Sequence, residues 1–288
     1  MQILDCSQQL KNIGVSTCRK LPQAFESFIK TPGDFSMTAA NAALAASWQA
    51  ELVKPRATRS YLFPLAYDFE NLSEEPTRAT SNLGKEILVR QGQYRFRNTF
   101  RENLEMHKAM YSHLSSGGGI LPIDINKKLI YTSDDDGETV QPFTLDQFAP
   151  EKIQLGDGQT PSLSPIYWSL ASNEELDVLG FQMQFTTQLL AIKALTDVYL
   201  ALVGSATATG FTISVKSALD NVGIVGLVSA DFVKTAGISA AVFGTDNGDG
   251  TYTFTGSGLT TGTITLRAAN LLTVTAYEAS NTLTVTIA

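Results

Sequence analysis

The sequence predicts two domains, a strand-rich α+β domain over residues 1–204 and an all-β sandwich over residues 205–288. The last 84 residues contain no proline, whereas all ten prolines lie at or before Pro165. In those residues Thr and Val alternate, and Gly, Asn and Asp interrupt the alternation. β-Branched residues favour the pleated surface of a strand, and alternation with period two gives each strand one buried face. Frequent turn signals between short strands are typical of a sandwich or barrel.

Two segments of the first domain are predicted to be helical. Residues 38–53 are rich in Ala and Leu, with Thr38 placed to cap the N-terminus and Pro55 placed to end the helix. Residues 103–115 repeat apolar side chains with helical spacing, and the glycines at 117–119 end that helix. The first domain should therefore contain one or two helices.

The other regular segments of the first domain are predicted to be strands. Residues 87–101 alternate, with a turn at Gln91–Gly92. Residues 120–133 indicate a strand, a turn and a second strand. Residues 162–177 favour a strand, and residues 180–203 favour two strands over one helix, because aromatic and β-branched side chains alternate there.

Composition argues against several classes of function. The chain has 21 Lys and Arg against 28 Asp and Glu, a formal net charge of −7, which is unusual for a protein that wraps nucleic acid through a basic face. The most apolar stretch, 189–203, is interrupted by Lys193 and Asp197, so we expect no membrane association. Cys6 and Cys18 could be reduced or bridged, since their spacing alone does not decide their redox state.

The candidate metal and catalytic residues do not form a recognisable set. The acidic run 134–138 lacks the alternate ligands of a calcium loop, and Leu145 occupies the position that requires Glu. It is predicted to be a charged turn, and residues 246–250 a hairpin loop. His107 and His113 would lie on separate faces of a helix. We expect no enzyme activity, no cofactor and no metal.

The segment QYRFRNTFR (93–101) is the most distinctive cluster of charge and aromatic side chains. Strand alternation places three arginines on one face with Thr99, and the aromatic residues on the other face with Asn98. An acidic patch lies upstream, in FENLSEEP. The arginines could form local ion pairs, pair with the acidic patch of a neighbouring subunit, or contact nucleic acid. The interface hypothesis involves six residues: Glu70, Glu74, Glu75, Arg95, Arg97 and Arg101.

The C-terminal residues resemble the bacterial immunoglobulin-like domains of adhesins and phage virion proteins. The resemblance lies in four short segments: Gly226-Leu227, Asp231-Phe232, DGTYTF at 249–254, and residues 259–266. It implies a non-catalytic sandwich that decorates a particle or adheres to a surface, possible ligands being host-surface glycans.

The N-terminal part resembles the tail tube proteins of long-tailed bacteriophages. The similar features are an acidic stretch leading into Gly84, the strand-rich segment VRQGQYRFR at 89–97, and a later strand–turn–strand with Asp124 and Lys127-Lys128. The resemblance implies a virion protein, assembled in the host cytoplasm, that forms hexameric rings with its own copies, contacts other virion proteins and lets DNA pass. The immunoglobulin-like domain would project outward. Two alternatives remain: a head, neck or decoration protein, and a glycan-binding module.

Overall fold

The computed structural model describes residues 24–101, 104–114, 117–135, 137–157, 159, 161–184, 195–218, 220–266 and 277–287. Cys6 and Cys18 lie outside the described residues. The chain divides into two compact units, residues 1–191 and 192–288. No helix among the described residues is long and apolar enough to cross a membrane.

The first unit is dominated by strands. Its described strands are β1 (Phe25–Thr31), β2 (Met37–Thr38), β3 (Tyr61–Leu62), β4 (Asp68–Asn71), β5 (Thr77–Thr80), β6 (Glu86–Arg90), β7 (Arg95–Phe100), β8 (Gly119–Asp124), β9 (Lys128–Thr132), β10 (Thr139–Val140), β11 (Phe143–Pro150), β12 (Ser164–Leu170) and β13 (Gly180–Gln184). Its described helices are α1 (Ala39–Ala42), α2 (Ala45–Leu52), α3 (Leu104–Tyr111) and α4 (Glu174–Asp177).

The main sheet of this unit runs β13-β9-β8-β11-β12-β7-β4, with β1 paired to β8 and β3. Two segments change partner along their length. β11 pairs with β8 at Phe143 and Thr144 and then with β12 from Leu145 onward, with a bulge between Leu145 and Gln147. A bulge of this kind bends a strand so that it can leave one sheet for another.

The segment from β3 to β4 makes the second change of partner. Its backbone pairs first with β1, where the Ala66 amide donates to the Glu26 carbonyl at 2.6 Å. It then pairs with β7, where the Tyr67 amide donates to the Thr99 carbonyl at 2.7 Å. The order β1, β8, β11, β12, β7 and then, through the β3–β4 segment, back to β1 closes these strands into a barrel. Closure removes unpaired strand edges from most of this unit.

The barrel encloses an aromatic core. Its buried members are Phe25, Phe28, Phe63, Phe96, Phe100, Met110, Ile120, Ile130, Phe143, Phe148, Ile166, Trp168 and Leu170. Asn98 is a polar side chain in this interior. Asn98 is fully buried, accepts a hydrogen bond from the Trp168 indole at 2.8 Å and donates to the Phe25 carbonyl at 2.7 Å. A buried amide is tolerated because both of its ends are paired.

The first predicted helix is divided into α1 and α2. Thr38 caps α1 as predicted, since its hydroxyl accepts from the Asn41 amide at 3.3 Å. The backbone then becomes extended at Leu44. The cause is tertiary packing: Trp48 is buried against Phe35, and its indole donates to the Ala42 carbonyl at 2.8 Å, at the end of α1. Packing of one large side chain here outweighs helix propensity.

The second unit is described by strands and one short 3₁₀ helix, Ser229–Asp231. The strands are β14 (Thr196–Thr207), β15 (Gly210–Ser217), β16 (Phe232–Lys234), β17 (Val242–Asp246), β18 (Thr251–Thr255), β19 (Gly262–Leu266), β20 (Tyr277–Ala279) and β21 (Leu283–Val285). They form a five-stranded sheet, β17-β18-β15-β14-β20, and a three-stranded sheet, β16-β19-β21. Buried residues from both sheets form one core.

The division between the units lies earlier than the predicted boundary at residue 204. Gly204 falls inside β14, which pairs with β15 and belongs to the second unit. The drop to small residues at 204–209 marks the β14–β15 turn, with Thr207 paired to Gly210 across it. Small residues are common at hairpin turns as well as at linkers. The predicted domain boundary therefore lies one strand too far toward the C-terminus.

This difference predicts that the fragment 192–288 folds alone and the fragment 205–288 does not. The shorter fragment lacks Val198 and Leu200, two fully buried residues of β14 that contribute to the core. Losing two such side chains costs about 4 kcal/mol or more, a large part of the stability of a small domain. Thermal unfolding followed by circular dichroism checks this. Cooperative melting of both fragments with similar midpoints would contradict it.

Candidate subunit interface

A hairpin arm, residues 76–91, extends from the barrel. It consists of β5 and β6, which pair only with each other, and every residue of both strands is exposed. Its turn is closed by the Ser81 amide, which donates to the Lys85 carbonyl at 2.7 Å. Gly84 lies in the turn with φ of +72°, a conformation that glycine adopts without strain. The arm is therefore a regular structure that the described part of its own subunit leaves uncovered.

The root of the arm is firmly held. The Leu72 amide donates to the Arg95 carbonyl at 2.9 Å, and the Glu74 amide donates to the Gln93 carbonyl at 3.0 Å. Gly92 is needed here, because a Cβ at this position would lie 1.8 Å from the Glu74 carbonyl oxygen. The arm thus continues the β4–β7 hairpin outward.

The strand prediction for 87–101 is confirmed for β6 and β7, but the turn predicted at Gln91–Gly92 does not join a hairpin. β6 pairs with β5 and β7 pairs with β4, so the two strands flank the arm's root without pairing to each other. Local sequence gives the alternation of each strand. It does not give the partner, because pairing between strands is set by contacts distant in sequence.

The arm exposes a cluster of large apolar side chains. Leu83 at the tip is 86% exposed, and Ile87, Leu88 and Val89 are each more than half exposed. Single exposed apolar residues are ordinary, but several of them on one exposed two-stranded hairpin are typical of an interaction surface. The sequence carried a signal for this: three consecutive apolar residues interrupt the polar alternation, so both faces of β6 carry apolar side chains, Ile87 and Val89 on one face and Leu88 on the other.

The arm is also basic within an acidic protein. Its cations are Arg78, Lys85 and Arg90, against the one carboxylate of Glu86, whereas the whole chain has a net charge of −7. Arg78 pairs with Glu86 across the hairpin at 3.3 Å, and Arg90 pairs with Glu74 at 3.1 Å. Lys85 at the turn makes no ion pair with any residue that the structure describes. A cationic arm is suited to an acidic partner surface.

The arginines of β7 pair with carboxylates of their own chain. Arg95 contacts Glu74 at 2.6 Å. Arg97 lies between Glu70 and Glu151, at 3.1 Å from each. The hydrogen bond to Glu151, with the charges of both carboxylates, raises the pKa of Arg97. The local pairing considered for this face is therefore present, and it occupies four of the six residues named for the interface.

The remaining two residues of that set, Glu75 and Arg101, are exposed and form no ion pair among the described residues. They lie at opposite ends of the 75–101 segment. Thr99, predicted on the basic face, is buried because the barrel closes against it through Tyr67. The structure therefore brings Arg95 and Arg97 together with Glu70 and Glu74 and leaves Glu75 and Arg101 apart from them.

The two acidic turns are built as the sequence predicts. Residues 134–138 connect β9 to β10, and Asp135 accepts hydrogen bonds from Ser133 and Thr139, which lower its pKa. Asp136 lies outside the described residues. Residues 246–250 connect β17 to β18, with Gly248 and Gly250 at positive φ.

His107 and His113 lie apart, as their spacing predicts. His107 contacts the Ser164 hydroxyl through Nδ1 at 2.6 Å. His113 packs its ring on Tyr61, 4.5 Å between centroids. No group of three or more His, Cys, Asp or Glu within the described residues could hold a metal ion.

The stability of the first unit is expected to fall as the pH drops from about 6.5 to about 4. Burial, and then the charge of Lys30, lower the pKa of His113 to about 4 from its usual 6.5. The folded state therefore favours the neutral ring. The unit has its full stability above pH 6.5 and loses part of it as the pH falls toward 4, because the unfolded state binds the proton more readily than the folded state. Allowing for partial exposure of the ring, the loss is about 2 kcal/mol.

Urea unfolding at several pH values measures this effect. His113→Phe keeps an aromatic ring against Tyr61 and removes the titration, so its stability should vary less between pH 6.5 and 4 than that of the parent. A variant with the same pH dependence as the parent would show that other groups cause it.

No protein family matches the chain, and no curated protein matches it significantly. The geometry of the arm, the barrel and the charges is therefore the basis for the functional proposal.

Proposed function

We propose that this protein is a non-enzymatic structural subunit of a tailed-phage virion, a tail tube protein that assembles with its own copies into stacked rings around a DNA conduit. The observation that carries the proposal is the arm. A rooted hairpin with exposed Leu83, Ile87, Leu88 and Val89 supplies both unpaired strand edges and apolar area for another copy. Repeated use of one such contact builds rings or tubes.

The barrel supports this role. A closed sheet with an aromatic core gives a wall element that stays rigid while its protruding hairpin makes contacts. The acidic balance of the chain suits a channel through which DNA moves, because tight DNA binding requires cationic contacts that release counterions. The arm's basic residues would be covered by neighbouring subunits in such a wall.

The second unit would be an immunoglobulin-like domain on the outside of the tube. Two sheets that share one core, with the DGTYTF segment forming a loop and β18, support a sandwich of this type. The first unit alone would form the wall of the tube, and the second unit would take no part in it. Removing residues 192–288 should therefore not prevent assembly.

Negative-stain microscopy and analytical ultracentrifugation of the purified protein test the proposal. We expect rings or tubes whose fraction rises with protein concentration. A protein that remains monomeric at high concentration, alone and with preformed tail tips as initiators, would overturn it. Binding to empty phage heads without self-association would instead favour the head, neck or decoration alternative.

A further inference from the structure

A cavity of about 370 Å³ opens on the first unit, where the loop after β1, the end of β9, the start of β11 and α4 meet. Three carboxylates line it, those of Asp34, Asp134 and Glu175, and its lining contains no Lys or Arg. Glu175 is fixed in place, since its carboxylate accepts from the Thr144 amide and hydroxyl at 2.7 Å each. Asp34 and Asp134 make no hydrogen bond or ion pair with any described side chain.

The unpaired carboxylates of Asp34 and Asp134 are therefore the acceptors that the cavity offers, which suits a group rich in N–H donors. The hydroxyl of Thr132, another lining residue, is fully enclosed and adds no accessible acceptor.

The cavity is not purely polar. Phe35, Pro142 and Leu179 line it beside the carboxylates. A wall with both characters fits an ammonium group on a hydrocarbon stem next to a second apolar side chain, because the stem and the neighbour cover apolar surface while the charge meets the carboxylates. A bare metal ion would leave the apolar part of the wall uncovered.

The tip of the arm has this chemistry. Leu83 is 86% exposed, Lys85 is an exposed cation without an ion pair in the described structure, and a Cβ added at Gly84 would meet no atom within 4 Å. The tip thus presents one apolar and one cationic side chain, two residues apart and both exposed.

We propose that the acidic cavity binds the Leu83–Lys85 tip of the arm of a second copy of this chain. Lys85 meets Asp34 and Asp134, while Leu83 covers the apolar lining. The donor and acceptor surfaces are different parts of the subunit, so the contact is heterologous and adds copies head to tail. This inference rests on the proposed function and specifies its contact.

Disulfide trapping between full-length subunits tests the contact. In a background of Cys6→Ser and Cys18→Ser, one sample carries Leu83→Cys and a second carries Ser36→Cys at the cavity. After mixing and mild oxidation, we expect the mixed dimer in at least about tenfold excess over that from a matched control in which Leu155→Cys, 85% exposed, replaces Leu83→Cys. Either sample alone should give little dimer.

Charge exchange gives an independent measure. Lys85→Glu and Asp134→Lys should each raise the concentration needed for assembly by about tenfold, and mixing the two proteins or combining the changes in one chain should restore it. Lys152→Glu, at an exposed lysine outside the arm, is the control for net charge and should have little effect.

The outcomes separate the two proposals. Rings or tubes without excess cross-linking, or without charge rescue, would overturn the cavity contact and leave the tail tube proposal standing. Cross-linking with rescue but no rings would support the contact and count against the tube. A wild-type chain that does not self-associate, together with cysteine variants that do not cross-link, would overturn both.

Discussion

Trp168→Ala should destabilise the first unit by about 4 kcal/mol, which is most of the stability of a domain near the low end of the usual range of about 5–15 kcal/mol. Trp168 is fully buried in β12, and its ring contacts Phe25, Phe28 and Phe96 with centroids 5.9, 6.2 and 4.5 Å away. Alanine would leave a cavity at the centre of the barrel, where closed strands cannot move inward to fill it.

A second cost arises from the polar partner of Trp168. Its indole donates to Asn98, whose amide donates in turn to the Phe25 carbonyl. Removing the indole leaves a buried amide oxygen without a donor, at a cost of about 1–3 kcal/mol. Trp168→Phe keeps most of the ring packing and loses the donor, so it should fall between the parent and Trp168→Ala.

Urea unfolding followed by near-ultraviolet circular dichroism measures these differences. Tyr167→Ala is the matched control, because Tyr167 is the adjacent residue of β12, on the opposite strand face and only partly buried. We expect it to cost about 1 kcal/mol. Equal effects of Tyr167→Ala and Trp168→Ala would mean that the barrel interior does not carry the stability of this unit.

Local sequence signals predicted those features whose cause is local. The strand–turn–strand at 120–133 is confirmed as β8 and β9, with Lys127 at positive φ in the turn, because alternation and an Asn-Lys turn act over a few residues. The cap at Thr38 and the loop at 246–250 are confirmed for the same reason. The alternation of polar and apolar residues also predicted that strands predominate over helices.

Features set by distant contacts were missed. Asn98 was placed among aromatic residues by alternation, but its partner Trp168 lies 70 residues later, so the buried hydrogen bond could not be foreseen. The break at Leu44 depends on where Trp48 packs. The change of partner along β11 depends on a bulge, which shifts register without a clear sequence mark.

The candidate interface was predicted in part for a similar reason. The alternation of QYRFRNTFR placed Arg95 and Arg97 on one face, and the acidic stretch supplied Glu70 and Glu74, which the structure brings into contact through the pairing of β4 with β7. The cavity lined by Asp34, Asp134 and Glu175 was not predicted, since these residues come from three separate loops and helices that only the barrel brings together.

Under the proposed function, in which the parent forms rings or tubes, the triple variant Ile87→Ser, Leu88→Ser, Val89→Ser should abolish that assembly. Each side chain is more than half exposed in the isolated subunit, so covering it with a partner contributes about 1 kcal/mol. Three together give about 3 kcal/mol per arm, or roughly a hundredfold in the association constant of one contact. In a ring every subunit uses such a contact, so the losses combine.

The same exposure predicts that the triple variant keeps its fold. β5 and β6 contribute no residue to the barrel core, and serine removes side chains that touch mainly solvent. Its melting temperature should stay within about 2 °C of the parent, with assembly scored by sedimentation velocity. Leu155→Ser changes an exposed leucine outside the arm, one that is 85% exposed, and should leave assembly unchanged. Normal assembly by the triple variant would mean that subunits do not meet at the apolar surface of the arm, because the variant keeps its fold and has lost only that surface.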